Sequence, residues 1–378
     1  MKDAGYEIAV FAGDGTGPEV IREGLKVLAA LAEGGPAPWH WTEHAGGGQY
    51  YLKTGREWEP EGAAAAQSAD AILLGAVGWP GAMLPNGDIA GRALVLGLRE
   101  SLDLFANVRP CRLYPGVQHR ISGDYRQVWS PDRVDMVIVR ENTEDLYTPA
   151  RGRLRRAGET EVAIDTRVVT KKGSERVIRF AFELARARAR GAPADGARRV
   201  TCVDKSNVLE GCRFFRETFD RIGTAEYPEI PRDYAYVDAF TQWLIRNPEQ
   251  YNVVVATNMM GDIITDLAAV LQGGMGFASG GNIGQDHAMF EPVHGSAPKY
   301  AGKDQVNPFA TFFALEQMLR WLGDRNADAR LRRQADRLER AIASTLQSGA
   351  ARTYDQGGTV STRTAGDRVA DAVRREAA

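Results

Sequence analysis

"EIAVFAGDGTGPEV", residues 7–20, joins an apolar run to a glycine-rich turn and a helix opened by Pro18. That order invites a dinucleotide-binding reading, whose fingerprint is G-x-G-x-x-G with an acidic residue about 20 positions further on. Here Gly13, Gly15 and Gly17 are spaced by two, and Pro18 stands where the third glycine belongs. No acidic residue closes a second strand in the expected context. The stretch therefore reads as a tight strand-to-helix turn near a ligand, and a nucleotide, if bound, is held some other way.

Outward from this turn, strand-like and helical runs alternate. A helix is expected from Pro18 to Ala32, then the strand "ADAILLGAV" (69–77) after the Ala-rich segment 62–68. "DMVIVREN" (135–142), "RRVTCVDK" (198–205) and "YNVVVATN" (251–258) follow, with helices over 173–190, 208–222 and 238–246. Such alternation predicts α/β layers around a largely parallel sheet. Residues 149–169, "PARGRLRRAGETEVAIDTRVV", break the pattern and read as a projecting hairpin or arm. Pairing that arm with a second copy would hide its edges. Residues 326–347 read as a charged helix.

The chain has 378 residues, 44% hydrophobic and 25% charged, which suits two domains or one large α/β body with a second lobe. A net charge of −2 gives no global pull toward nucleic acid or an anionic membrane. The basic runs "RGRLRR" (151–156) and "ARARARG" (185–191) read as solvated faces. Cys111, Cys202 and Cys212 lack metal-ligand spacing and fit reduced, buried thiols. The N-terminus runs straight into a strand, and no apolar run approaches the roughly 20 residues that span a bilayer. A cytoplasmic protein is expected.

"GDIITD" (261–266) places two aspartates four apart at the start of an apolar helix that follows a buried strand. Positions i and i+4 share one helix face, so Asp262 and Asp266 lie side by side. The helix dipole favours one carboxylate there. Two repel unless something positive stands between them. Arg99 and Arg109 of "LRESLDLFANVRP" and Arg140 of "VIVRENTEDLY" suggest a carboxylate clamp, because guanidinium pairs bidentately with carboxylates. Lys205 and Asn207 follow a strand in "VDKSNVLEG", and Asp238 of "YVDAF" sits at a helix start, where an N-cap is the bland alternative. The long polar loop "EPVHGSAPKYAGKDQVNP" (291–308) reads as functional.

On "DLFANVRP", "RENTEDLY", "VDKSNVLE", "NMMGDIITDLA" and "FEPVHGSAPKYAGK", together with Gly13–Pro18, the chain resembles the β-decarboxylating dehydrogenases. These include the isocitrate, isopropylmalate, homoisocitrate and tartrate/D-malate dehydrogenases. The resemblance runs to about Tyr354 and implies a two-lobed α/β fold with a mixed sheet, a dimerisation arm and no Rossmann domain of the usual kind. It implies a large cofactor-binding lobe from 1–104 and 273–378, and a smaller lobe over 105–272 with the dimer interface and the arm 149–169. By motif, Asp262 and Asp266, with Asp238 of a second subunit, would hold Mg2+ or Mn2+. Arg99, Arg109 and Arg140 would grip a malate core, with Asn207 and Val95 also meeting substrate. Tyr147 and Lys205, from opposite subunits of a homodimer, would be the acid–base pair. Glu291, His294, Gly295, Ser296, Ala297, Lys299, Tyr300, Asn307 and Tyr354 would bind the cofactor.

The implied chemistry is oxidation of a 2-hydroxy acid by NAD(P)+, with Lys205 taking the hydroxyl proton, then loss of CO2 and protonation by Tyr147. Isocitrate members carry Ser-x-Asn ahead of the first clamp arginine, whereas "RALVLGLR" has Ala93 and Val95. Neither hydrogen-bonds a third carboxylate, so the wall Leu94-Val95-Leu96 suits an isopropylmalate-like or malate/tartrate-like substrate. Arg92 keeps an isocitrate, homoisocitrate or unusual 2-substituted malate open. Lys299 and Tyr300 suit the 2′-phosphate of NADP over NAD, as does Tyr354, although the arginine of NADP-type isocitrate enzymes is replaced by Gly358. A non-catalytic regulatory subunit is the alternative of another class. Such subunits lose members of the metal or acid–base set, and here the set is complete.

Overall fold

A computed structural model describes residues 5–33 and 37–376, so the first four residues of the N-terminal stretch read above lie outside the described residues. The chain divides into two compact units, one of residues 1–104, 112–131 and 269–378, the other of 105–111 and 132–268. The expected smaller lobe, 105–272, is therefore interrupted: residues 112–131 and 269–272 group with the first unit. His119 shows why, since its Nε2 pairs with the Leu271 carbonyl at 3.0 Å and its Nδ1 accepts from the Val128 amide at 3.1 Å.

In the first unit, strand Tyr6–Phe11 is buried except at Glu7 and pairs in parallel with Trp39–His44 and Ala71–Leu74. Ala288–Pro292 extends this sheet in parallel beside Ala71–Leu74, and Ser279–Ile283 pairs with it antiparallel, so the sheet is mixed. The inner strands are buried on both faces because helices cover them. Helix Gly17–Ala32 has Pro18 in its first turn, where no hydrogen bond is lost, and buries Val20, Ile21, Leu25, Leu28 and Leu31. It packs on Phe309–Arg325 and Thr362–Arg375.

The turn at residues 13–17 is a structural hub. Gly13 and Gly15 have φ of +73° and +58°, and a Cβ on either would fall 2.2 Å from the Ala76 oxygen or 2.1 Å from the Ser296 oxygen. The fully buried Asp14 carboxylate accepts from the amides of Gly48, Gln49 and Gly78 at 2.7, 2.7 and 2.8 Å. That carboxylate takes the amides at the start of helix Gly48–Thr54, leaving an anionic pyrophosphate no welcome there.

The second unit orders its strands as Arg232–Tyr236, Val200–Asp204, Val253–Ala256, Asp135–Glu141 and Ala106–Arg112. Helices Lys171–Ala187 and Glu210–Glu226 pack together, with Phe182 stacked on Phe219 and Tyr227 at centroid distances of 5.1 and 4.9 Å. Phe182, Phe219, Val139, Val200 and Val255 belong to one buried cluster. From this unit comes the expected arm, a hairpin of Arg151–Arg156 and Glu159–Asp165 in which every residue is exposed. Ala157 and Gly158, both at positive φ, make the tight two-residue turn that suits a twisted hairpin.

Candidate active site

Helix Asn258–Leu271 begins two residues after the buried strand Val253–Ala256. Asp145, itself buried, accepts from the Met259 amide at 3.1 Å at the helix start, and Arg167 holds Asp145 at 2.5 Å. Asn258 donates to the Glu144 carbonyl at 3.0 Å. The segment leading to Tyr147 is thereby tied to the first turn of the helix. Gly261 allows the strand carrying Arg140 to lie close, since a Cβ there would fall 2.7 Å from both Cβ and Cγ of Arg140.

On the exposed face of that turn, Asp262 and Asp266 share a cation, the Arg109 guanidinium, at 3.5 and 3.3 Å. Arg109 is held by Asn107 at 2.8 Å and Thr265 at 2.7 Å. Arg140 is almost fully buried, donates from Nε to Asn258 at 2.8 Å and pairs through Nη1 with Asp262. The Tyr147 hydroxyl donates to the other Asp262 oxygen at 2.6 Å, and the Arg140 guanidinium lies 5.2 Å from the centre of the Tyr147 ring. Partial desolvation raises the Asp266 carboxyl above the usual carboxylate range, opposed by Arg109 and reinforced by Asp262. Five expected site residues thus converge on one helix face.

Lys205 and Asp238 form a second pair, Nζ donating to Oδ1 at 2.6 Å, and this contact holds the exposed Asp238 carboxyl below its ordinary value. Asn207 is exposed two residues beyond Lys205. No group of three acidic, histidine or cysteine side chains able to hold a metal ion occurs among the described residues. Asp238 therefore does not join Asp262 and Asp266 within one chain.

In the first unit, Arg99 is buried and donates to Glu291 at 3.0 Å, while its Nε, also buried, has no hydrogen-bond partner. Glu291 also accepts from Asn282 at 2.8 Å. The segment before Arg99 opens as a π-turn, Ala93–Gly97, a wider turn often found at functional sites. Glu57 caps it, accepting from the amides of Gly91 and Ala93 at 2.7 and 3.1 Å. Leu94 does not belong to a pocket wall. It is fully buried in a cluster with Phe11, Leu98 and Met289, and Val95 and Leu96 remain half-buried.

A cavity of about 530 Å³ in the same unit is lined by His294, Gly295, Ala297, Tyr300, Asn307 and Tyr354. Gly273, Gly274, Met275, Gly276, Arg120 and Asp355 also line it, and none of these was expected from sequence. Three expected cofactor residues do not line it. Glu291 serves Arg99 instead, Ser296 accepts from the Thr16 amide and hydroxyl through its carbonyl, and Lys299 is exposed above the Tyr300 ring at 4.8 Å. Burial keeps His294 below its ordinary pKa; Nδ1 donates to the Gly295 carbonyl at 3.1 Å, and buried Nε2 has no partner. Asn307 spends both ends of its amide on Asp355 and the Phe309 amide, at 3.0 Å each. The Tyr300 hydroxyl is drawn below its ordinary value by a hydrogen bond from Tyr354, with the Lys299 and Arg120 charges adding.

The mixed sheet and the occupied turn at residues 13–17 place this α/β protein outside the Rossmann class. The chain belongs to the isocitrate/isopropylmalate dehydrogenase family, whose profile matches residues 7–371. It is 40% identical over 372 residues to the 3-isopropylmalate dehydrogenase of Corynebacterium glutamicum, covering 97% of this chain and 99% of that protein. It is 42% identical to the enzyme of the same name from Beutenbergia cavernae, covering 91% and 96%. Isocitrate dehydrogenase from Methylococcus capsulatus superposes with a TM-score of 0.83 at 33% identity, covering 98% and 99% of the two chains. The protein is a β-decarboxylating dehydrogenase, an oxidoreductase. Among the described residues no helix is long and apolar enough to cross a membrane.

Proposed function

We propose that two copies of this chain share their active sites and oxidatively decarboxylate a substituted malate with NADP+ and Mg2+ or Mn2+. The observation that carries this reading is the face of helix Asn258–Leu271, where Asp262 and Asp266 meet Arg109, Arg140 and Tyr147. An all-oxygen donor set fits a hard divalent cation, with Asp238 of a second copy as the third carboxylate. When bound, such a cation stabilises the negative charge that builds as CO2 leaves.

The chain's own residues divide the remaining work. Arg109 and Arg140 grip substrate carboxylates, and so does Arg99, whose buried, unpartnered Nε supports a waiting acceptor site. Glu291 positions Arg99. Lys205, steered by Asp238, takes the substrate hydroxyl proton directly or through water, and Asn207 beside it meets the same substrate. Tyr147, with its hydroxyl held on Asp262, returns a proton to carbon after CO2 loss.

The cavity around His294 would hold a nicotinamide coenzyme, which would supply the hydride acceptor. With Nδ1 donating to a carbonyl, a neutral His294 presents Nε2 as an acceptor, which fits the exocyclic amine of adenine. Gly295, Ser296, Ala297 and Asn307 shape that loop, and Lys299, Tyr300 and Tyr354 favour a 2′-phosphate. Val95 and Leu96 suit an apolar or small substituent, and the relatives named 3-isopropylmalate dehydrogenase support that choice. The second copy is supported by Leu154, Val162 and Ile164 on the hairpin and Ile263 beside Asp262, exposed by 54, 42, 56 and 56%.

The test is a panel of 2-hydroxy diacids and triacids with Mg2+, assayed separately with NAD+ and NADP+. A 2-substituted malate with NADP+ is expected to give the highest kcat/KM. A clear preference for isocitrate or homoisocitrate defeats the substrate assignment alone.

A further inference from the structure

We propose that Arg120 supplies a second cation for a phosphate on the 2′ position of a bound adenosine, in the place that Gly358 leaves without a side chain. The inference rests on the NADP reading above.

Arg120 lies in a hairpin, His119–Ile121 paired antiparallel with Asp124–Arg126, that belongs to the same unit as the cavity. Its turn residues Ser122 and Gly123 both have positive φ, the geometry of a tight two-residue connection. Two residues pin the hairpin. Buried His119 is tied to the Leu271 carbonyl and lies edge-on to Trp129 at 5.0 Å. Tyr125 donates to the Tyr354 carbonyl at 3.1 Å, and its ring backs Gly357, where a Cβ would fall 2.8 Å from the ring. The hairpin is therefore fixed against the segment that carries Tyr354, and Arg120 lines the cavity with Tyr300 and Tyr354.

Gly358 offers no alternative. A Cβ there would lie 2.0 Å from the Arg352 carbonyl oxygen, so no arginine fits without moving backbone. A 2′-phosphate carries roughly −1.5 to −2 charge, more than one lysine neutralises. Lys299 is a point charge on an exposed stem, whereas a guanidinium grips phosphate with two parallel donors. The charge of Arg120 already reaches the Tyr300 hydroxyl, where it favours the ionised form. Asp355, the carboxylate among the lining residues, is tied to Thr353 and Asn307, and burial pushes it toward its protonated form.

The experiment is calorimetric binding without turnover, using 2′,5′-ADP and 5′-AMP, which differ only in the 2′-phosphate. Wild type is expected to bind 2′,5′-ADP the tighter. Arg120→Gln should cut that preference by about tenfold, the low end for a charged hydrogen bond because the site is open to water. Binding of 5′-AMP should stay within about twofold, and Arg120→Lys should keep part of the preference. Unchanged 5′-AMP affinity shows that the variant is folded. If wild type prefers 2′,5′-ADP and Arg120→Gln keeps the full preference, the role of Arg120 is overturned and the NADP reading stands. If wild type shows no preference, both are overturned.

Discussion

The helix Asn258–Leu271 and the cavity around His294 prepare for their ligands in opposite ways. On the helix the charges are already matched: Arg109 spans Asp262 and Asp266, and Arg140 and Tyr147 take the two oxygens of Asp262. In the other unit, Arg99 Nε and His294 Nε2 are buried with no partner. A buried polar atom left unmatched costs on the order of 1–3 kcal/mol. Under the proposed function the matched face would instead exchange partners: a cation would take the aspartates and substrate would take the arginines. Charge pairing stabilises that face, whereas of the two orphans only His294 belongs to the loop-built cavity.

Removing the metal tests the matched face hardest. Exhaustive chelation should bring decarboxylation to background, with Mg2+ or Mn2+ restoring it; full turnover after chelation would mean that Arg109 is all the cation the aspartates need. Next in size are Lys205→Met and Tyr147→Phe, each expected to slow the overall reaction by roughly 10²–10⁴-fold. Tyr147→Phe should retain more hydride transfer than product formation in partial-reaction assays, and equal loss of both steps would end the division of roles.

The proposed dimer would bring the matched face a third carboxylate, Asp238 of a second copy. Leu154→Glu with Val162→Lys places charges on the exposed hairpin and should yield a monomer by sedimentation with most activity lost. A stable, active monomer would show that one chain completes the site. On the cavity side, Lys299→Asp with Tyr300→Ile should reverse the cofactor preference, moving the ratio of kcat/KM for NADP+ over NAD+ by about 10–100-fold. A wild type that already prefers NAD+, or an unmoved ratio, would defeat that assignment.

The smallest effects should separate the regions most cleanly. A Cβ on Gly261 would press on Arg140, and one on Gly276 would fall 2.7 Å from Asn307 Cβ and 2.8 Å from an Asp355 oxygen. Each alanine substitution should cost on the order of 1–3 kcal/mol of stability. Gly261→Ala should raise KM for substrate and metal, and Gly276→Ala the KM for cofactor. Crossed effects would show that the two regions are coupled.

Local sequence was sufficient wherever chemistry followed a short period. Asp262 and Asp266 share a helix face because they are four apart, and the strand Val253–Ala256 before them is a continuous apolar run. The hairpin at 149–169 was legible as a polar, alternating break in the α/β rhythm. The strands that local pattern concealed each lack that rhythm. Trp39–His44 is a mostly polar edge strand, Ser279–Ile283 is glycine-rich although wholly buried, and Ala106–Arg112 carries Pro110.

The family motifs and the turn chemistry of Gly13–Pro18 were thus determined by sequence alone, because backbone conformation and side-chain spacing are local properties. Tertiary structure decided what each polar group pairs with. It sends Glu291 to Arg99, 192 positions away, rather than to the cavity. It also turns Leu94 into the core and brings Arg120 beside Tyr354. It alone closes Gly358 to any side chain, through a carbonyl six residues earlier. Such pairings depend on which distant surfaces pack together, and no local period carries that information.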